Sequence, residues 1–124
     1  MVFKDSQPIF RQIADHIMDN IIRGIWSEDE RIPSVREMAV SIEVNPNTVM
    51  RTYTYLQEKD IIFNKRGVGY FVQSNAGEKI KSIKKEKFLM KELPELFKTI
   101  ELLNLNIGEI SKLYEDYLRG KNED

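Results

Sequence analysis

The chain has 124 residues, 41% hydrophobic and 31% charged, which suits one small folded domain with an appendage and leaves too little for a two-lobed enzyme. It has no cysteine and a single histidine, His16, so the sequence excludes disulfides, thiolate catalysis and any cysteine or histidine metal cluster. The formal net charge of −1 speaks at first against a nucleic-acid ligand.

That charge is segregated along the chain. Residues 64–91 carry a net +6, between −3 over residues 1–44 and −4 over residues 92–124. No apolar run reaches the roughly 18–20 residues of a membrane span. The opening MVFKDSQPIF lacks the basic flank and apolar stretch of a signal peptide. The expectation is a cytoplasmic protein with no membrane partner.

In chain order, the spacing predicts a first helix from about Pro8 to Gly24. Ile9, Ile13, Ile17 and Ile21, with Phe10, Met18 and Ile22, form a broad apolar stripe, and Gly24 supplies the stop. His16 falls on the polar side and is expected to be exposed and idle. Ser27–Glu30 and Pro33 read as a loop, with Ile25, Trp26 and Ile32 packing inward. A short second helix opens at Ser34-Val35-Arg36-Glu37, a capping box in which Ser34 and Glu37 satisfy each other's backbone donors. Asn45 caps a third helix, Pro46 fits its first position, and Val49, Tyr53 and Leu56 give it a core face. Second and third helices in such close succession form a helix-turn-helix. Ile61-Ile62-Phe63 and Tyr70-Phe71-Val72 then flank Asn64-Lys65-Arg66-Gly67-Val68-Gly69, which predicts a hairpin with a basic, glycine-containing tip.

Ser74-Asn75-Ala76-Gly77 reads as a short hinge. Beyond it the chain is helical to about Asn104, with Pro94 expected to kink the helix, and a last helix begins after Asn106. Leu93, Leu96, Phe97, Ile100 and Leu103, together with Ile110, Leu113, Tyr114 and Tyr117, form apolar faces that would otherwise lie bare to water. The predicted fold is mainly α with a small β-hairpin wing. A winged helix-turn-helix DNA-binding domain spans 1–73, and a two-helix dimerisation region lies within 74–124. Folding those faces back onto the same chain is the alternative to a symmetric dimer. The lysine run over 79–91 reads as a solvated helix face, or else as a contact with flanking DNA.

The chemistry concentrates on the third helix and the wing. With its core face set, Asn47, Thr48, Met50, Arg51 and Thr54 lie outward or on the flank, and the forked donors of Arg51 suit a guanine edge or a phosphate. The same pattern describes an ordinary solvated helix face. At the wing tip, Lys65 and Arg66 suit a phosphate or a narrow minor groove, and Gly67 permits close backbone approach. Many exposed hairpin turns carry lysine and glycine without such a role. No nucleophile–base pair, metal cluster or phosphate loop points to an enzyme, and no cofactor is implied.

Four motifs in order carry a resemblance: Gly24-Ile25-Trp26, then RIPSVREMA from Arg31 to Ala39, VNPNTVMRTY from Val44 to Tyr53, and RGVGYFV from Arg66 to Val72. Together, over about residues 8–73, they resemble the GntR family of bacterial transcription regulators, and with the short tail they resemble its YtrA-type subfamily. The resemblance implies a third helix in a major groove and a wing over the adjacent minor groove. It implies DNA-binding roles for Ser34, Arg36, Asn45, Asn47, Thr48, Arg51, Lys65, Arg66 and Gly67. Arg36 matches the family's DNA-contacting arginine and Gly67 its wing-tip glycine, whereas Met50 departs from the arginine or small polar residue of many relatives. It further implies a homodimeric repressor on a palindromic double-stranded operator, with an operon for an ABC-type transporter as target. An unidentified small-molecule effector is a further partner the resemblance allows. A winged helix that binds protein and has no specific DNA target is the alternative reading.

Overall fold

The computed structural model describes residue 3 and residues 7–123. Half of the opening MVFKDSQPIF, residues 1, 2 and 4–6, on which the expectation of no signal peptide falls, lies outside the described residues. The order is α1 (Ile9–Ile22), α2 (Val35–Ile42), α3 (Pro46–Glu58), β1 (Ile62–Lys65), β2 (Gly69–Val72), α4 (Ala76–Lys87), a π-helical turn (Phe88–Glu92), α5 (Leu93–Leu102) and α6 (Ile107–Glu123). This is the mainly helical winged-helix fold with a two-stranded hairpin that the sequence predicts. Two compact units divide the chain, Met1–Ile83 and Lys84–Asp124.

In the first unit, Ile13, Ile17 and Met18 of α1 pack with Met38 and Ala39 of α2 and with Val49, Tyr53 and Leu56 of α3. The helical spacing puts these side chains on the inner faces, and their burial drives the three helices together. Pro8 stands just before α1 with extended backbone (ψ 143°), one position earlier than its expected place in the first turn. Gly24 turns the chain at φ +80°, which presents Trp26 and Ile32 to the core and leaves Ile25 57% exposed, contrary to the inward packing expected of it.

The capping box forms as the sequence dictates. The Glu37 N–H donates to Ser34 Oγ at 3.1 Å and the Ser34 N–H donates to Glu37 Oε1 at 3.0 Å. Glu43 then reverses the chain in the left-handed conformation (φ 55°, ψ 50°), and Asn45 caps α3 by accepting the Asn47 N–H at 2.8 Å. The hairpin is antiparallel, pairing Ile62 with Val72 and Lys65 with Gly69. A non-local feature extends it: Ile32 donates to Tyr70 O at 2.9 Å, Asp29 to Val72 O at 2.8 Å, and Val72 to Glu30 O at 3.0 Å. The stretch expected as a loop therefore lies along the outer edge of β2 and anchors the wing's base.

Ser74-Asn75 is a tight turn and not a hinge. Asn75 has φ +62°, its N–H donates to Glu28 Oε1 at 2.8 Å, and α4 begins at once with Ala76. Ala76 and Ile80 are buried, so the first two turns of α4 belong to the winged-helix core.

In the second unit the kink expected at Pro94 becomes a widened turn just before it, over Phe88–Glu92. Proline offers no N–H to the carbonyl four residues earlier and its ring presses on that carbonyl, and a π turn relieves both. Asn106 Oδ1 accepts the Glu109 N–H at 2.9 Å at the start of α6. No described side chain of α5 is buried; Leu96, Phe97, Leu103, Leu113, Tyr114 and Tyr117 are 44–64% exposed, while Leu93, Ile100 and Ile110 are half-buried.

Candidate DNA interface

The exposed face of α3 is built from residues three and four apart. Asn47, Met50, Arg51 and Thr54 lie there in the open, and Thr48 is half-buried beside them. Asn45 is exposed at the cap, its side-chain oxygen occupied by the Asn47 N–H. Arg36 projects from the first turn of α2 and is exposed. Ser34 is half-buried, and its hydroxyl oxygen accepts the Glu37 N–H at the start of α2. Lys65, Arg66 and Gly67 are exposed at the tip of the wing. There Gly67 takes φ +77° and the Val68 N–H donates to Lys65 O at 2.8 Å, closing the turn.

The wing is fastened to α3 through aromatic side chains. Tyr53 donates its hydroxyl to Pro33 O at 2.6 Å, and its ring meets that of Tyr70 edge to face at 4.9 Å. Tyr70 in turn points its hydroxyl at Met50 Sδ, 3.9 Å away. Burial holds the Tyr53 phenol far above its ordinary range, helped by Tyr70 and Glu37 nearby. Phe63 and Phe71 stack at 5.6 Å on the wing, with Lys65 Nζ 5.2 Å from the Phe71 ring centre. Glu37 is shifted the other way: the Ser34 N–H and hydroxyl at its carboxylate, then the Arg31 charge, hold it below its ordinary value.

The place of Arg51 on the outer face follows from the spacing along α3, but its neighbour does not. Its guanidinium carbon lies 4.1 Å from the centre of the Phe10 ring. The Arg11 guanidinium lies 4.6 Å from the ring of Tyr55, and Phe10 and Tyr55 meet edge to face at 6.0 Å. The buried Thr52 hydroxyl sits 3.1 Å from Phe10 O and 3.0 Å from Thr48 O, ready to share its proton between them. The available signal was the spacing of Arg51, Thr52 and Tyr55 on one flank of α3. It marks a helix-packing side, and nothing local names Phe10 as the partner.

No group of three or more His, Cys, Asp or Glu side chains among the described residues is placed to hold a metal ion. No helix among them is long and apolar enough to cross a membrane.

A helix-turn-helix whose second helix displays polar side chains beside a basic hairpin defines the winged-helix class of nucleic-acid-binding domains. The pattern described as bacterial regulatory proteins, gntR family, matches residues 10–72. The HTH-type transcriptional regulator YhcF of Bacillus subtilis is 34% identical over 118 residues, covering 95% of this chain and 96% of the relative. The HTH-type transcriptional repressor YtrA of the same organism is 38% identical over 73 residues, 59% of this chain and 56% of YtrA. A solved GntR-family transcriptional regulator from Bacteroides thetaiotaomicron shares 46% identity and a TM-score of 0.80, over 92% of this chain and 99% of that one. The chain belongs to the GntR family: it is a DNA-binding transcriptional regulator of a family of regulators and not of enzymes.

Proposed function

We propose that the protein is a homodimeric, sequence-specific repressor acting in the cytoplasm on a palindromic operator. Residues 1–73 bind DNA, and the dimer contacts come from within residues 74–124, beyond the turns of α4 that pack in the first unit. The observation that carries this reading is the display of Asn47, Thr48 and Arg51 on the exposed side of α3, next to a wing tip bearing Lys65 and Arg66. Each subunit sets α3 into a major groove, with Asn45 and Arg36 at the phosphate backbone and the wing over the neighbouring minor groove. Gly67 lets the wing backbone approach closely.

The dimer rests on apolar side chains that water would otherwise cover. Leu96, Phe97 and Leu103 of the α5 region and Leu113, Tyr114 and Tyr117 of α6 are exposed in the single chain. A repressor role is supported by the similarity to YtrA, itself named a repressor. By family analogy the target is an operon for an ABC-type transporter. The test is a gel-shift titration on selected genomic fragments. Arg51→Ala is expected to weaken specific binding by about 1–3 kcal/mol, and unchanged affinity would contradict the assignment of α3.

A further inference from the structure

Arg51 is the longest side chain on the exposed face of α3, and a free arginine there would wander through many rotamers. The structure fixes it from an unexpected direction, the start of α1. Its guanidinium lies 4.1 Å from the centre of the Phe10 ring, which is a stacking distance. A guanidinium that lies flat on a ring uses its face in the contact and keeps the N–H donors around its edge for other partners. Among the described residues no acceptor meets those donors. Bidentate recognition of a guanine needs that edge, held in a plane.

The ring that supports Arg51 is itself held from α3. The Thr52 hydroxyl reaches Phe10 O at 3.1 Å, and Tyr55 sets its ring against the Phe10 ring at 6.0 Å and 75°. Arg51, Thr52 and Tyr55 therefore grip one residue of α1 through a face, a hydrogen bond and an edge. Asn47 and Thr48 line an open hollow with Phe10, Arg51, Pro8 and Ile9, so the supported guanidinium borders open space and not packed core.

We propose that Phe10 is a positioning residue for DNA reading: its ring holds the Arg51 guanidinium in the orientation that meets a base edge. The inference rests on the proposed function, since it assigns the reading to Arg51. Removing the ring while keeping the apolar bulk then costs specificity and not the fold. Prior ordering lowers the rotamer entropy lost when the base contact forms.

The experiment compares wild type, Phe10→Leu, Phe10→Tyr, Arg51→Ala and the Phe10→Leu/Arg51→Ala pair. The probes are a duplex selected from random-sequence DNA by the wild-type protein and a shuffled duplex of equal length. Phe10→Leu is expected to lower the ratio of selected to shuffled affinity by about two- to five-fold. Phe10→Tyr, which keeps a ring, should restore the ratio, and Phe10→Leu should add nothing in the Arg51→Ala background. An unchanged ratio in Phe10→Leu, or losses from the two sites that simply multiply, would overturn the proposal while leaving α3 as the reading helix. An Arg51→Ala protein with full specificity would instead overturn the reading itself. A second readout needs no variant to fold: proton NMR of the wild-type protein should place the Arg51 Cδ protons upfield by the Phe10 ring current. Unshifted protons would refute the stacking.

Discussion

Tyr53 ties the core to the segment that leads into α2. Its ring is part of the apolar core, and its hydroxyl ends on Pro33 O, 2.6 Å away, just before the cap of α2. Tyr53→Phe leaves that carbonyl without its partner, and we expect a loss of about 1–3 kcal/mol in urea unfolding. The same environment sets an alkaline limit. Burial, then Tyr70 and Glu37, raise the phenol above its ordinary value of 10.0, so the folded chain holds this proton more tightly than the unfolded chain. The stability this contributes is complete below about pH 10 and declines as the pH rises beyond it. Unfolding curves from pH 8 to 11 should show that decline in wild type and a weaker one in Tyr53→Phe. The sequence identified Tyr53 as a core residue by its spacing from Val49 and Leu56. It hid the hydroxyl's partner, because Pro33 lies twenty residues earlier and the contact exists only after α2 and α3 pack.

At the scale of elements, what was legible was local. Ser34 with Glu37, Asn45 with Asn47 and Asn106 with Glu109 are caps whose partners lie two or three residues apart, so the sequence alone specifies them. The pairing of Asp29–Ile32 with β2 was not legible, since neither strand-like alternation nor a turn signal marks it. The widened turn before Pro94 was half legible: proline announces a disturbance, but its steric effect falls a turn earlier. The paired edge of the wing yields its own prediction at Gly69. This residue has φ +147°, rare for a residue with a side chain, and a Cβ there would stand 2.6 Å from Arg31 Nε. Arg31 can swing away, giving up its 3.8 Å approach to Glu37, but the backbone conformation cannot be relieved so simply. Gly69→Ala should therefore destabilise the protein by about 1–3 kcal/mol, read as a lowered thermal midpoint. A mutant as stable as wild type would show that the wing tolerates another turn.

For the molecule as a whole, the net charge of −1 averages acidic ends against a basic stretch that begins at the wing. The total therefore bounds non-specific affinity without opposing DNA binding, because phosphate contacts depend on the few cations that face the backbone. Replacing Lys65 and Arg66 with glutamine should reduce the slope of log affinity against log salt by about 0.9 for each phosphate contact removed. An unaltered slope would take the wing tip out of the interface. Unlike the caps, the function of the exposed faces of α5 and α6 was legible only as bareness. Apolar spacing marks a bare face, and nothing in the spacing names what packs on it. Both ideas meet in the proposed dimer, in which two copies, each with α3 and a wing, read one two-fold site. Selection of bound fragments from genomic DNA by the purified protein, followed by hydroxyl-radical footprinting, tests it most directly. A two-fold dimer is expected to enrich an inverted repeat with two protected half-sites centred about 10–10.5 base pairs, or a multiple, apart. Enrichment of no sequence, or protection of a single half-site, would contradict it.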